Sequence, residues 1–371
     1  MKVFIKSNPT SSRGIALIIV MIVIVVLGIL AGGFAYSMKV EMKLARNTNF
    51  EGDLEWVGRS GVEFAKYILV QHMNVVTEPW DSLNQKWAGG PLGTNEVLES
   101  ISLENNQVGA GVFSIKIVDL ERRININTIN QGNIFILQQA LRMVGMDPVD
   151  STPITDSFLD WVDPNDNPHL GGAESNDYLS EPNSGYPPYV AKNGPIDDLS
   201  ELLLIRGITP AMYWGPSGRE ERRTTSQTGP SGISFPGMSA GADASAGLVD
   251  LFTSISSGRI NINTAPTQVL QLIPGIDPVL AQGIVTARAG WDGAEGTDDD
   301  VPFRAVGELI NVPGMVPQLV QQIQGLFNTR SLTFEVRIEA KINQYTRRFV
   351  ALLRRNPSNM REVQTLYYRR R

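Results

Sequence analysis

The sequence predicts an α+β fold: one long N-terminal helix packed on an antiparallel sheet whose strands are split around a large, mainly α-helical insertion. Three observations carry this. Ile15 to Tyr36 reads IALIIVMIVIVVLGILAGGFAY, 22 residues without a charge, and apolar residues continue at helical spacing beyond it. Leu332, Phe334, Val336, Ile338, Ala340 and Ile342 alternate with polar residues in strict period two, the pattern of a half-buried strand. Between an earlier short strand near residue 115 and this one lie about 200 residues of helical texture with an internal repeat.

At about 1.5 Å per residue, the 22-residue run reaches roughly 33 Å as a helix, enough to cross a hydrocarbon core of about 30 Å. In a bilayer the backbone must satisfy its own hydrogen bonds, so this run is predicted helical despite its many β-branched residues. Lys2, Lys6 and Arg13 precede it, as in a secretory signal. However, the run is longer than a signal core, no A-x-A-like site follows, and the helix pattern continues through Ser37–Arg46. Basic residues flank both ends, so charge does not orient the span, but a body of more than 300 residues is expected to translocate. Leu54, Val57, Gly61, Phe64, Ala65 and Ile68 extend the helix to about residue 72.

Residues 74–107 read as irregular, and Phe113, Ile115 and Ile117 as a short strand. After Ile342 a break at Asn343-Gln344 leads to a strand over Tyr345–Arg354 and a last one over Arg361–Tyr368. The expected units are a leader (1–14), the N-terminal helix (15–72), a discontinuous sheet (108–120 and 330–371) and an insertion (121–329).

Within the insertion, Arg123-Ile124-Asn125-Ile126-Asn127-Thr128 returns as Arg259-Ile260-Asn261-Ile262-Asn263-Thr264, 136 residues later. Leu199-Ser200-Glu201-Leu202 is echoed by Val306-Gly307-Glu308-Leu309 at an offset of 107, so the first copy holds about 29 extra residues. The copies are expected at 121–214 and 258–329, joined by a Gly/Ser/Thr-rich linker over 215–247. Pro274-Gly275-Ile276-Asp277-Pro278 between two helical patterns resembles a helix–hairpin–helix turn. Nucleic-acid-binding versions cradle a phosphate on backbone amides beside basic residues. Here Asp277 stands where a second Gly would, and Arg288 is the nearest base, so the hairpins are expected to serve helix packing and no residue is assigned to DNA.

The extra residues of the first copy hold Asp160-Trp161-Val162-Asp163-Pro164-Asn165-Asp166-Asn167-Pro168 and then Gly171-Gly172-Ala173-Glu174-Ser175-Asn176-Asp177-Tyr178. Such residues suit either plain turns or a hard cation held by oxygen ligands. A second acidic stretch, Asp292 to Asp300, reads more simply as a solvated loop. The formal charge is −6, and the cationic first 14 residues leave −9 for the rest, against a nucleic-acid-coating surface. With two histidines, no cysteine and no nucleotide-loop, G-x-S-x-G or H-E-x-x-H motif, no catalysis is expected.

The basic leader ending at Gly14, followed at once by the apolar helix, resembles the class III signal of type IV pilins and type II secretion pseudopilins. That resemblance implies cleavage by a prepilin peptidase between Gly14 and Ile15, with methylation of the new N-terminus. Family members usually carry Glu at the fifth mature position, where this chain has Ile19. An apolar fifth residue, the hairpin-bearing insertion and the run DWVDPNDNP…GGAESNDY resemble the K-type minor pseudopilins. Membership would imply a pilin-like fold and a single-pass anchor in the inner membrane of a Gram-negative bacterium, with the body in the periplasm. It would also imply contact with the inner-membrane assembly platform and a place with minor pseudopilins I and J at the tip of a filament that exports folded proteins. The resemblance further implies calcium, one or two ions, with Asp163, Asp166, Glu174 and Asp177 as preferred ligands and Asn165 and Asp160 in reserve. Two other readings fit parts of the chain: a membrane-anchored DNA-binding protein of the competence type, and a minor pilin of a type IV pilus.

Overall fold

The structure, a computed structural model, describes residues 13–93, 95–183, 185–215 and 246–371. The leader up to residue 12, the cleavage signal's basic part and most of the 215–247 linker therefore lie outside the described residues. Helix α1 runs from Arg13 to His72 without interruption. At about 1.5 Å per residue it is roughly 90 Å long. Its first part, from Ala16 to Ala45, is exposed throughout, and it is long and apolar enough to cross a membrane. Its last part buries Leu54, Val57, Val62, Ala65, Ile68 and Leu69 against a sheet.

That sheet has five antiparallel strands in the order β1 (Asn106–Val108), β2 (Gly111–Asp119), β7 (Thr333–Ile342), β8 (Tyr345–Asn356) and β9 (Asn359–Arg370). Ile115 pairs with Ile338, which pairs with Phe349, and these side chains form the face turned to α1. The period-two residues of β7 alternate buried and exposed as the sequence predicts, because one face meets the helix and the other meets solvent. Helix and sheet approach closely at Gly58 and Gly61: a methyl group on Gly61 would stand 2.8 Å from Ile338 Cγ2, and one on Gly58 2.6 Å from Phe349 Cδ2.

Between β2 and β7 the chain builds the helical insertion as a second apolar core. Two short parallel pairs frame it: β3 (Ile124–Asn125) with β4 (Phe252–Thr253), and β5 (Ile260–Asn261) with β6 (Phe327–Asn328). Each repeat thus opens on its R-I-N-I-N-T strand and closes by pairing with it. Inside the first lie α2's successors along the chain; with α2 at Glu96–Glu99, these are α3 (Phe135–Met143), α4 (Pro148–Val162), α5 (Ser175–Ser180), α6 (Pro210–Trp214) and α7 (Leu248–Leu251). The second holds α8 (Thr267–Leu270), α9 (Pro278–Arg288) and α10 (Pro317–Ile323). Helical hairpins turn at Gly145, Gly207, Gly275 and Gly314, each followed by an apolar residue and a Pro opening the next helix. In the second copy two hairpins pack reciprocally, Gly275 against Leu319 and Gly314 against Leu280.

The equivalent asparagines of the two copies do equivalent work. Asn127 exchanges hydrogen bonds with the backbone of Ile196, and Asn263 does so with Phe303, in each case just ahead of a 3-10 helix. The insertion joins the sheet at the end far from the apolar segment. There Arg355 pairs with Asp81 at 2.7 Å, and Asn261 donates to Asp119 and Ser331. Burial alone would raise the Asp81 carboxyl, but the Arg355 guanidinium and His72 hold it well below the usual range. Glu121, whose Oε1 accepts from the amides of Leu332 and Ser257, is pushed up to about 8 by burial and by the charge of Asp119.

A candidate cation site in the acidic loop

Helix α4 starts on an Asp147 cap with Pro148 in its first turn and ends where Asp163 becomes extended. Its last turn points Asp160 inward, fully buried. Beyond it Asp163 accepts from the amide of Asn165, and Asn165 from that of Asn167, two successive side-chain turns that curl the loop. The chain then folds back over Asp160. His169 donates its amide to Asp160 Oδ1 at 3.0 Å, and its ring Nδ1 lies against the same oxygen. Gly172 passes so close that a methyl group there would stand 1.8 Å from Asp160 Oδ2. Only glycine fits this position.

One ligand atom each from Asp160, Asp163 and His169 falls within 4.8 Å of the others. Beside them Glu174, 3% exposed, opens α5. Both Glu174 carboxylate oxygens, Asp160 Oδ2 and Asn193 Oδ1 are buried without a hydrogen-bond partner. A buried acceptor left unpaired costs roughly 1–3 kcal/mol, more when charged, so four together call for a bound donor or cation. Burial and the surrounding charges of Asp160, Asp163, Asp166 and Asp177 push the Glu174 carboxyl up to about 7, the response of an acid whose neighbours are all acids. The hydrogen bond to Asp160 raises the His169 ring.

The predicted ligands thus separate. Asp163 and Glu174 lie in the cluster. Asp166 is tied in by Ser175 Oγ and by Asn193 Nδ2, both at 3.0 Å. Asp177 is turned to the rim, where it accepts the amide of Glu174 and faces Arg206 at 3.8 Å. Asp160, held in reserve on the sequence because it falls in a helical turn, sits at the centre instead: the last turn of α4 points it inward and the loop folds back over it. Asn165 is spent on the Asn167 turn. Asn193, 33 residues from Asp160, was not legible as a ligand; its left-handed backbone (φ 49°) was the one local signal, in an Asn-Gly pair. Arg206 braces the loop by donating to the carbonyls of Gly171 and Gly172. Trp161, Tyr178 and Tyr189 form the floor, with Tyr178 and Tyr189 stacked at 5.1 Å.

The oxygen-rich donor set, with no sulfur and one imidazole, fits a hard cation in a flexible loop, which is the chemistry of calcium. The second acidic loop differs. Asp299 Oδ2 accepts from the amides of Trp291 and Asp292, Asp300 from that of Gly296, and Glu295 pairs with Arg288. These carboxylates are already satisfied, as a solvated loop requires. Arg288 itself is buried, donating to the carbonyls of Ile262 and Ala265, and Asp277 caps α9 through the Leu280 amide. The hairpin's nearest base is therefore structural and not presented to a phosphate.

Residues 122–214, which contain this loop, match the family model for type II secretion system (T2SS), protein K. Over this span the chain is similar to the type II secretion K proteins. Residues 256–328 match the helix-hairpin-helix motif, the span framed by β5 and β6. The protein K of Pseudomonas aeruginosa is 26% identical over 298 residues, covering 77% of this chain and 75% of that protein. That of Klebsiella pneumoniae is 26% identical over 213 residues, covering 54% of this chain but only 60% of its own length. The fold matches a chain in the crystal structure of the GspK-GspI-GspJ complex from enterotoxigenic Escherichia coli, with a TM-score of 0.59 over 88% of this chain and 99% of that one, at 15% identity. The predicted α+β class, with its long helix, antiparallel sheet and helical insertion, is borne out.

Proposed function

We propose that this protein is a minor pseudopilin of a type II secretion system, placed at the tip of the periplasmic pseudopilus with minor pseudopilins I and J. The observation that carries this is where the insertion sits. It leaves the sheet after Asp119 and returns at Thr333, beside His72 and Asp81 at the far end of α1 from the apolar segment. Subunits that pack through α1 add end to end, so some 200 residues on the distal end block any subunit above. Ile19, exposed on α1, supplies no carboxylate to neutralise a neighbour's amine.

On this reading α1 is first a transmembrane anchor, freed from its leader by a prepilin peptidase at Gly14–Ile15 and methylated there, with the body in the periplasm. It later becomes the packing helix of the filament, raised by the assembly platform. The role is structural rather than catalytic: export of folded proteins would depend on the tip complex as a whole. Calcium, held by Asp160, Asp163 and Glu174 with Asn193 and Asp166 completing the shell, would fix the acidic loop as a rigid part of the insertion. Buried Arg288 and capping Asp277 count against the competence-type alternative. Co-expression with minor pseudopilins I and J tests the proposal: a ternary complex supports it, whereas co-purification with type IV pilus components instead overturns it.

A further inference from the structure

We propose that the end of the sheet nearest the apolar helix is a docking surface for an anionic lipid bilayer. The inference rests on the membrane-anchored reading of α1. Strands and helix are aligned so that Phe50 stacks near Tyr345 at 5.2 Å and Glu51 pairs with Arg370. The opposite end of the sheet lies beside His72. The lower end is therefore the one that faces a membrane entered by α1.

Basic residues gather toward that end from three adjacent strands: Lys341 on β7, Arg347 and Arg348 on β8, and Arg371 beside Arg348, with Arg370 one step higher and Arg369 level with Arg337 in the middle of β7. Glu339 pairs with Arg348, and Glu51 with Arg370. Among the described residues at this end, the ion pairs leave Lys341 and Arg347 without a carboxylate partner, Arg347 donating through Nη1 to the Thr346 carbonyl, whereas Arg369 lies within reach of Asp198 and lowers its carboxyl. This cationic rim belongs to a chain whose formal charge is −6, so the rest of the surface is acidic. A charge separation of this kind orients the body with its rim toward an anionic surface. Tyr345 and Phe50 add the amphipathic and apolar rings that favour a bilayer interface.

Geometry says what docking requires. From Tyr36 to Phe50 α1 rises about 20 Å, while the headgroup layer is only about 5–8 Å thick on each side. An upright helix would thus hold the rim more than a Debye length, about 8 Å, above the lipid. Docking tilts α1 toward its sheet side, within the range that membrane helices adopt. Two uncompensated cations at roughly fivefold each bias the tilted state about twenty-five-fold.

The chain has no cysteine, so Gln344→Cys, in the exposed β7–β8 turn, gives a unique fluorophore site on the full-length protein. The labelled chain is reconstituted into nanodiscs of phosphatidylcholine, with or without phosphatidylglycerol, carrying a headgroup quencher. Quenching should rise when phosphatidylglycerol is present. It should fall back at about 1 M salt, where the Debye length is about 3 Å, and in a Lys341→Gln/Arg347→Gln variant. Equal quenching in both bilayers would overturn the inference and leave the rim to an acidic protein neighbour, with the anchor intact. Failure of the chain to co-elute with the discs would overturn the anchor reading and docking together. The salt response of the unaltered rim decides the matter even if the double variant misfolds.

Discussion

Asp160 and Glu174 present buried oxygens that nothing among the described residues satisfies, so on the proposed reading the loop's stability depends on a cation. In wild-type protein, calcium at about 100 times its dissociation constant should add about 2.7 kcal/mol of stability, seen as a rise in Tm. Asp160→Asn and Glu174→Gln should each abolish most of that rise. Asp177→Asn, at the rim, should keep most of it, and Asp299→Asn in the satisfied second loop should leave it unchanged. Isothermal titration and thermal melts with and without chelator check all four. A calcium-free melt identical to the calcium-loaded one in wild type would refute the site. The acidic character of this loop was plain in the sequence, although the same Asp, Asn and Gly residues also suit plain turns. Which carboxylates converge was not legible: it depends on the loop folding back over Asp160 and on Asn193 reaching back from a distant turn, and neither leaves a periodic trace.

At the scale of elements, the long helix and the outer strands were readable because each has one wet and one dry face, and periodicity reports that asymmetry directly. β7 spans Thr333–Ile342 against the alternating run Leu332–Ile342, and α1 ends at His72 as its apolar spacing indicates. β8 and β9 run two residues beyond the expected ends, a usual uncertainty at strand termini. The two-residue pairs that close each repeat were not readable, since β4 pairs with β3 across more than 120 residues and a pair that short has no period. Contact between α1 and the sheet depends on the missing side chains at Gly58 and Gly61. Gly61→Ala should destabilise the body by roughly 1–3 kcal/mol through overpacking on Ile338. Gly52→Ala, on the same helix with nothing within 4 Å, should be neutral or gain up to about 1 kcal/mol from helix propensity. Chemical denaturation of the two variants compares them directly; equal effects would mean that the helix does not seat on the sheet as described.

Across the whole molecule, one polar junction ties the pilin-like body to the insertion, and Glu121 sits at its centre. Its carboxylate holds the amides of Ser257, between the two repeats, and Leu332, where the chain returns to the sheet. A folded-state value near 8 against 4.5 for the free acid means the native state keeps a proton that the unfolded chain releases. That contribution is complete below about pH 4.5 and is lost as pH rises through about 8, with a slope of at most about 1.4 kcal/mol per unit. Asp119, also raised by burial, acts in the same sense. Asp81, held low, loses its contribution only in strong acid. Stability should therefore fall between pH 5 and pH 8.5, and Glu121→Gln should flatten that slope; an unchanged slope in the variant would remove Glu121 as its source. This buried junction ties the insertion to the end of the sheet, and on the proposed reading that cap is what places the chain at a filament end. The most direct test is to label the insertion and look along assembled pseudopili. Trp291, 97% exposed on the second repeat, can carry the chain's only cysteine as Trp291→Cys, tagged with gold and imaged by electron microscopy. The account predicts one label at one end of each filament, and labels spaced along the filament length would contradict it.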